Sequence, residues 1–271
     1  MVRRLIVNAD DYGRCREVNS AVEELISAEK LRSVSVLVNG DDLDSAIRFL
    51  LGKPHVSAGV HWNAVEGSPV VPDGKWLTGE DGKFIGLGRL MIRWMSQPKA
   101  VSRAVEAEWR AQTEALFAAG IHLSHADSHQ HLHAFPPAWR IAVKLCHEFG
   151  IPALRLPRER NPVPIRRAGA FALASSLAFS RFLAGNSGVR HNHHLLGFKR
   201  AGAYGIQQLV NDLRHLPAGI TELALHPSTT DGNPYPNLYG NLERQALLHP
   251  AFPEVLAELK IAQITWNEIS K

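Results

Sequence analysis

IHLSHADSHQHLHAF, residues 121–135, carries five of the chain's fourteen histidines, His122, His125, His129, His131 and His133, with Asp127 among them. An apolar lead-in that runs into a polar, metal-compatible cluster predicts a buried strand finishing in an active-site loop. Neutral imidazole is the commonest metal ligand at physiological pH, and imidazole with carboxylate suits Zn²⁺ and its first-row neighbours. A histidine-rich surface loop is the plain alternative. It leaves unexplained why matching pieces sit at other strand ends.

Upstream of this stretch the chain alternates. Residues 4–9 (RLIVNA) read as a buried strand that stops at Asp10-Asp11-Tyr12-Gly13. A helix follows, with Val18, Ala21, Val22, Leu25 and Ile26 on one face. Residues 33–38 (SVSVLV) form a second strand, and Asp41 or Asp42 caps a helix whose core face is Leu43, Ala46, Ile47, Leu50 and Leu51. Residues 56–61 (VSAGVH) form a third strand ending in His61. Strand, helix, strand, helix, strand points to parallel pairing. Residues 63–88 then break the alternation with a Gly/Pro-rich insertion, a kind of loop that is usually functional. Trp62 and Trp76 lie at or in it, and core packing is the simpler role for each. Pro98 suits the first turn of a helix that Gly120 stops.

Downstream, a helix is expected from about Pro137 to Phe149, then a fifth strand at 152–156 (PALRL). Residues 166–184 are small and apolar with basic Arg166, Arg167 and Arg181, and read as an outer barrel helix or, less simply, a membrane-surface helix. A second irregular stretch spans 185–205. Residues 220–226 (ITELALH) form a strand ending in His226, and two short helices lead to a last strand near 262–266. No composition shift marks a linker, so the 271 residues read as one domain, a distorted or incomplete (β/α) barrel of six or seven strands.

Composition excludes several classes. Two cysteines, Cys15 and Cys146, are too few for a disulfide framework or a cysteine zinc site. No apolar run is long enough to span a membrane, and the N-terminus shows no secretory signal, so a reducing, cytoplasmic setting is expected. A net charge of +4 comes without a nucleic-acid-binding motif. The G-x-S-x-G elbow, the P-loop and the dinucleotide fingerprint are absent. No exposed heptad or self-complementary strand is visible, which leaves a homo-oligomer open.

The informative pattern is where the polar residues fall. Asp10, Asp11, His61, Asp127, His129, Arg155 and His226 all lie at or just past the C-terminal end of an expected strand. In a (β/α) barrel that edge is the catalytic face. Asp11, His61 and His129 make a plausible open metal set, three protein ligands with room for water. His131 or His133 could replace His129, because spacing does not choose between alternate residues of an extended segment. A metal so held acidifies water and polarises a carbonyl, so amide or ester hydrolysis needs only a base and an acid besides. Asp10 can serve as the base and His226 as the acid. A phosphoesterase using the same ligand types and a sugar- or metal-binding module without turnover are the rivals. Mere binding has no need of an acid and a base.

NADDYG (8–13), GVHW (59–62), HADSHQHLH (125–133) and LHPS (225–228), in this order, resemble the YdjC-like carbohydrate deacetylases, which include chitooligosaccharide deacetylase. The resemblance spans essentially the whole chain. It implies a distorted barrel related to polysaccharide deacetylases, one divalent metal (Zn²⁺ or Mg²⁺, with Mn²⁺ or Co²⁺ open) and removal of an N-acetyl group from an amino sugar. Carried over by motif, Asp11, His61 and His129 hold the metal, Asp10 is the general base and His226 the general acid. Arg155 resembles the arginine that orients the base in the wider deacetylase group. Gln130 departs from the family, where several members carry histidine. IPALRLPRE (151–159) resembles a subgroup linked to hopanoid biosynthesis, whose substrate is a lipid-linked N-acetylglucosamine. That resemblance implies a glycolipid substrate and peripheral contact at the inner face of a membrane.

Overall fold

The computed structural model describes residues 2–72, 75–159, 185, 187–198, 200–232 and 239–269. Its centre is β1 (Arg3–Tyr12), which pairs in parallel with three strands. Residues Arg3–Ala9 pair with β6 (Gly219–Leu225). On the other edge Arg3–Ile6 pair with β7 (Ile261–Ile264), and Asn8–Tyr12 pair with β2 (Ser33–Val36). From β2 the sheet continues through β3 (Ser57–Trp62) to β4 (Leu123–Ser128), and from β6 to β5 (His194–Leu196). Apolar runs such as Leu5-Ile6-Val7 are buried on both faces, as parallel strands under helices must be.

The gap between β4 and β5 is spanned by single bridges: Ala126 to Leu154, Ala153 to Arg190, and Glu159 to Leu195. The architecture is an α/β, distorted (β/α) barrel. The fifth strand expected at 152–156 is therefore only a pair of bridges. Pro152 and Pro157 bracket it, and neither has an amide hydrogen for a ladder. The strand β5, inside the irregular 185–205 stretch, is three residues long, too short to show a period.

The helices bury the faces their spacing sets. α1 (Arg16–Ser27) buries Val18, Ala21, Val22, Leu25 and Ile26. α2 (Leu43–Leu51) buries Ala46 and Leu50, with Leu43 and Ile47 half-buried, while Leu51 is 55% exposed, against expectation. Leu51 is the last residue of the helix, at its open C-terminal end. Asp42 stands at the N-cap, but its carboxylate accepts from Asn19 Nδ2 at 2.9 Å instead of capping. α3 (Leu87–Ser96), unforeseen in the sequence, follows the Gly/Pro-rich insertion, and α4 (Pro98–Ala118) begins at Pro98 as expected. Trp62 stacks on Trp109 of α4 at 5.0 Å and donates to Thr113 Oγ1 at 2.9 Å, which fixes the end of β3 beside His61. α5 (Pro136–Glu148), α6 (Ile206–Arg214), α7 (Gly240–Leu248) and α8 (Ala251–Glu258) complete the described α-helices. The basic apolar helix expected over 166–184 lies outside the described residues. No described helix is long and apolar enough to cross a membrane.

Candidate metal centre at the C-terminal rim

Adjacent residues of a regular strand point to opposite faces, so Asp10 and Asp11 need a device to share one mouth. β1 supplies it. Its register with β2 steps from Ala9–Val34 to Tyr12–Val36, three residues against two, so the strand bulges at Asp10-Asp11. Asp11 takes the left-handed region at φ 61°, a backbone state that costs a non-glycine residue on the order of 1–3 kcal/mol and clusters at functional sites. Both carboxylates are buried.

Asp11, His61 and His129 come together, each offering a ligand atom within 4.8 Å of the others. Asp11 Oδ1 lies 3.3 Å from His61 Nε2 and 2.9 Å from His129 Nδ1. His61 Nδ1 is 2.7 Å from Asp127 Oδ1, while its buried Nε2 faces Asp11 Oδ1 at 3.3 Å. A histidine held by a carboxylate at one nitrogen, with the other buried and turned toward a second carboxylate, suits a cation between them. Two imidazoles and a carboxylate match the donors of an open Zn²⁺ or related site. Without a cation the groups lean on one another as ions. Burial alone would lower the His61 pKa; Asp127 and Asp11 overcome it and raise it to about 10. Burial alone would raise the Asp11 pKa; His129 and His61 outweigh it and hold the carboxyl well below its usual range.

A second grouping, Asp10, His61 and Asp127, has ligand-like spacing too, but a guanidinium already fills it. Arg155 Nη1 is 2.7 Å from both Asp10 Oδ2 and Asp127 Oδ2, and Nη2 is 2.7 Å from Asp10 Oδ1. Its Nε and Nη2 also donate to Glu222, at 2.9 and 2.6 Å. Arg155 is fully buried, so these carboxylates are what make its charge tolerable. Burial pushes Glu222 up to about 7 despite Arg155, whereas for Asp10 the pull of Arg155 outweighs burial and lowers the pKa. Asn8 Nδ2 donates to Asp10 Oδ1 at 2.8 Å, and Ser35 Oγ to Asp127 Oδ2 at 2.9 Å.

The remaining histidines sort by their partners. His226 follows β6; its amide N–H donates to Glu243 Oε2 at 2.7 Å, and its buried Nδ1 makes no hydrogen bond. Burial lowers its pKa, with Asp10 and Asp11 acting the other way, which places it in the field of the same cluster. His133 is no substitute for His129, because Ser128 Oγ at 2.6 Å and the Arg155 carbonyl at 3.0 Å occupy its two nitrogens. His131 is outside both groupings. It packs on Phe198 at 5.1 Å after a turn in which Gln130 and His131 both have positive φ. His125 is a core residue, stacked on Trp266 at 4.7 Å with Ser35 and Ser124 hydroxyls on its nitrogens.

Sequence reasoning missed Glu66, Glu222, Glu243, Asn8 and Ser35. Glu222 was legible as a charge at an inward position of an apolar strand, two and four residues before Ala224 and His226. Glu66 sits in the irregular insertion, where no period assigns a direction.

The profile of the family described as YdjC-like protein matches residues 4–258. The chain belongs to the YdjC-like family. Among similar proteins, a carbohydrate deacetylase of Brevibacillus brevis is 27% identical over 278 residues, covering 98% of this chain and 99% of that protein. A carbohydrate deacetylase of Danio rerio is 30% identical over 267 residues, covering 92% of this chain and 82% of its own. A crystal structure from Enterococcus faecalis V583, described as a candidate cellobiose-phosphate cleavage protein, superposes with a TM-score of 0.81 at 20% identity, covering 99% of both chains. That likeness is one of fold.

Proposed function

We propose that this chain hydrolyses the N-acetyl group of an N-acetylglucosamine-type sugar, with Asp11, His61 and His129 holding one divalent cation. The observation that carries the reading is the convergence of those three side chains beside an aspartate clamped by Arg155. The relatives named carbohydrate deacetylase support the substrate class. A divalent cation bound there supplies Lewis acidity toward a carbonyl oxygen and toward water.

The chain's own groups do the rest. Asp10 is ionised at neutral pH and held in one orientation by Arg155 and Asn8, ready to take a proton from the attacking water. His226 comes from a different strand; its imidazolium, formed when it takes up a proton and favoured by Asp10 and Asp11 against burial, is the acid that gives that proton to the departing amine nitrogen. The products are acetate and a free amino sugar. Burial of the whole cluster excludes bulk water, which strengthens each of these interactions.

The finer proposal is a lipid-linked amino sugar, resting on the 151–159 segment and the basic apolar stretch at 166–184. Sedimentation with anionic against neutral liposomes, at low and raised salt, tests membrane-surface contact; no sedimentation with either counts against it. The activity itself is tested by incubating the protein with N-acetylglucosamine conjugates and, in parallel, phosphate esters. Acetate release is the expected result. Phosphate release without acetate moves the assignment to the phosphoesterase reading, and neither product leaves only a binding module.

A further inference from the structure

An imidazole offers a cation one nitrogen, and the acceptor on its other nitrogen decides which. For His61 that acceptor is Asp127, at 2.7 Å from Nδ1, so Nε2 is left to face Asp11 Oδ1. For His129 the arrangement is reversed. Glu66 Oε2 lies 3.0 Å from Nε2, and Nδ1 faces the same Asp11 oxygen at 2.9 Å.

Glu66 is a built position. Arg14 Nη2 holds its other oxygen at 2.5 Å, so Oε2 remains for His129. Its backbone is pinned by Asn63, whose Oδ1 accepts from the Val65 and Glu66 amides at 2.9 and 3.2 Å and whose Nδ2 donates to the Glu66 carbonyl at 2.7 Å. The two nitrogens lie on opposite sides of the His129 ring. A cation taken at Nε2 would sit toward Glu66, away from the oxygen that His61 faces.

Resting on the reading of this rim as a one-cation site, we propose that Glu66 is a positioning residue that fixes the His129 tautomer. His129 then presents Nδ1, and His61 presents Nε2, to the same ion. Arg14 acts one step further out by holding Glu66.

The test uses the 271-residue chain labelled with ¹⁵N-histidine and loaded with ¹¹³Cd²⁺. Cadmium coupling is expected at His61 Nε2 and His129 Nδ1. Coupling at His129 Nε2 overturns the inference while leaving the site; coupling to neither histidine overturns the site and the inference together. Zn²⁺ affinity by competition titration provides the second readout. Glu66→Ala is expected to weaken it about 10–100-fold. Glu66→Gln, whose amide oxygen still accepts from Nε2–H, should retain most of it. Unchanged affinity in Glu66→Ala contradicts the proposal.

Discussion

Arg155 grips Asp10 with both terminal nitrogens, each at 2.7 Å from a different carboxylate oxygen, across 145 residues of sequence. The pair ties the end of β1 to the irregular segment after α5, where the barrel has only single bridges to close it. Asp127 and Glu222 share the same guanidinium. Arg155→Met should therefore act in two ways. It strands three buried carboxylates without their cation, which costs on the order of 3–5 kcal/mol of stability. It also frees Asp10 to turn, so turnover should fall further than stability explains. Urea denaturation and acetate release at a temperature where the variant stays folded separate the two effects.

Asp10→Asn and His226→Ala each remove a proton carrier and leave Asp11, His61 and His129 in place. Each should lower turnover by about a hundredfold or more while sparing most metal affinity. His61→Ala should lose metal uptake and activity together. Titration calorimetry with Zn²⁺ alongside acetate release shows which pattern holds. Tight metal binding in His61→Ala contradicts the ligand assignment.

In the metal-free protein His61 is held as an imidazolium between Asp11 and Asp127, with its pKa raised to about 10. A raised folded pKa means that its stabilisation is full below the unfolded value of about 6.5 and is lost as pH climbs through the folded one. Thermal unfolding in chelator should show a midpoint that drops between about pH 7 and 10, with His61→Asn lacking that part of the drop. Since a bound cation requires neutral imidazole, metal binding near pH 7 should release protons, and apparent affinity should rise with pH. Calorimetry in buffers of different ionisation enthalpy counts them.

Gly59 leaves room for the His125 ring. A Cβ built on it would lie 2.4 Å from His125 Cε1 and Nε2. Gly59→Ala should cost about 1–3 kcal/mol by overpacking. The loss should appear in denaturant unfolding with little change in metal affinity, since His125 belongs to the core. A selective loss of metal binding with stability intact contradicts that placement.

The rim was legible because strand ends are legible. Asp11, His61 and His129 each follow or finish an apolar run, and the structure brings them to one mouth. The bulge that lets Asp10 and Asp11 share it was hidden, because two adjacent aspartates look alike in a regular strand and in a bulged one. The choice among His129, His131 and His133 was closed to spacing for a related reason. The segment leaves the strand at Ser128 and turns through two left-handed residues, so alternation no longer applies. Glu66 is set by side-chain contacts within a loop, and β5 by three residues of backbone pairing. Neither leaves a periodic trace in the sequence.

The most direct measurement is the anomalous diffraction of a crystal equilibrated with Zn²⁺. The account predicts one strong peak at the barrel mouth, about 2.0–2.2 Å from an Asp11 oxygen and from one nitrogen each of His61 and His129. A peak bound instead by Asp10 and Asp127 after displacement of Arg155, or no peak at the mouth in crystals that hold zinc elsewhere, would contradict it.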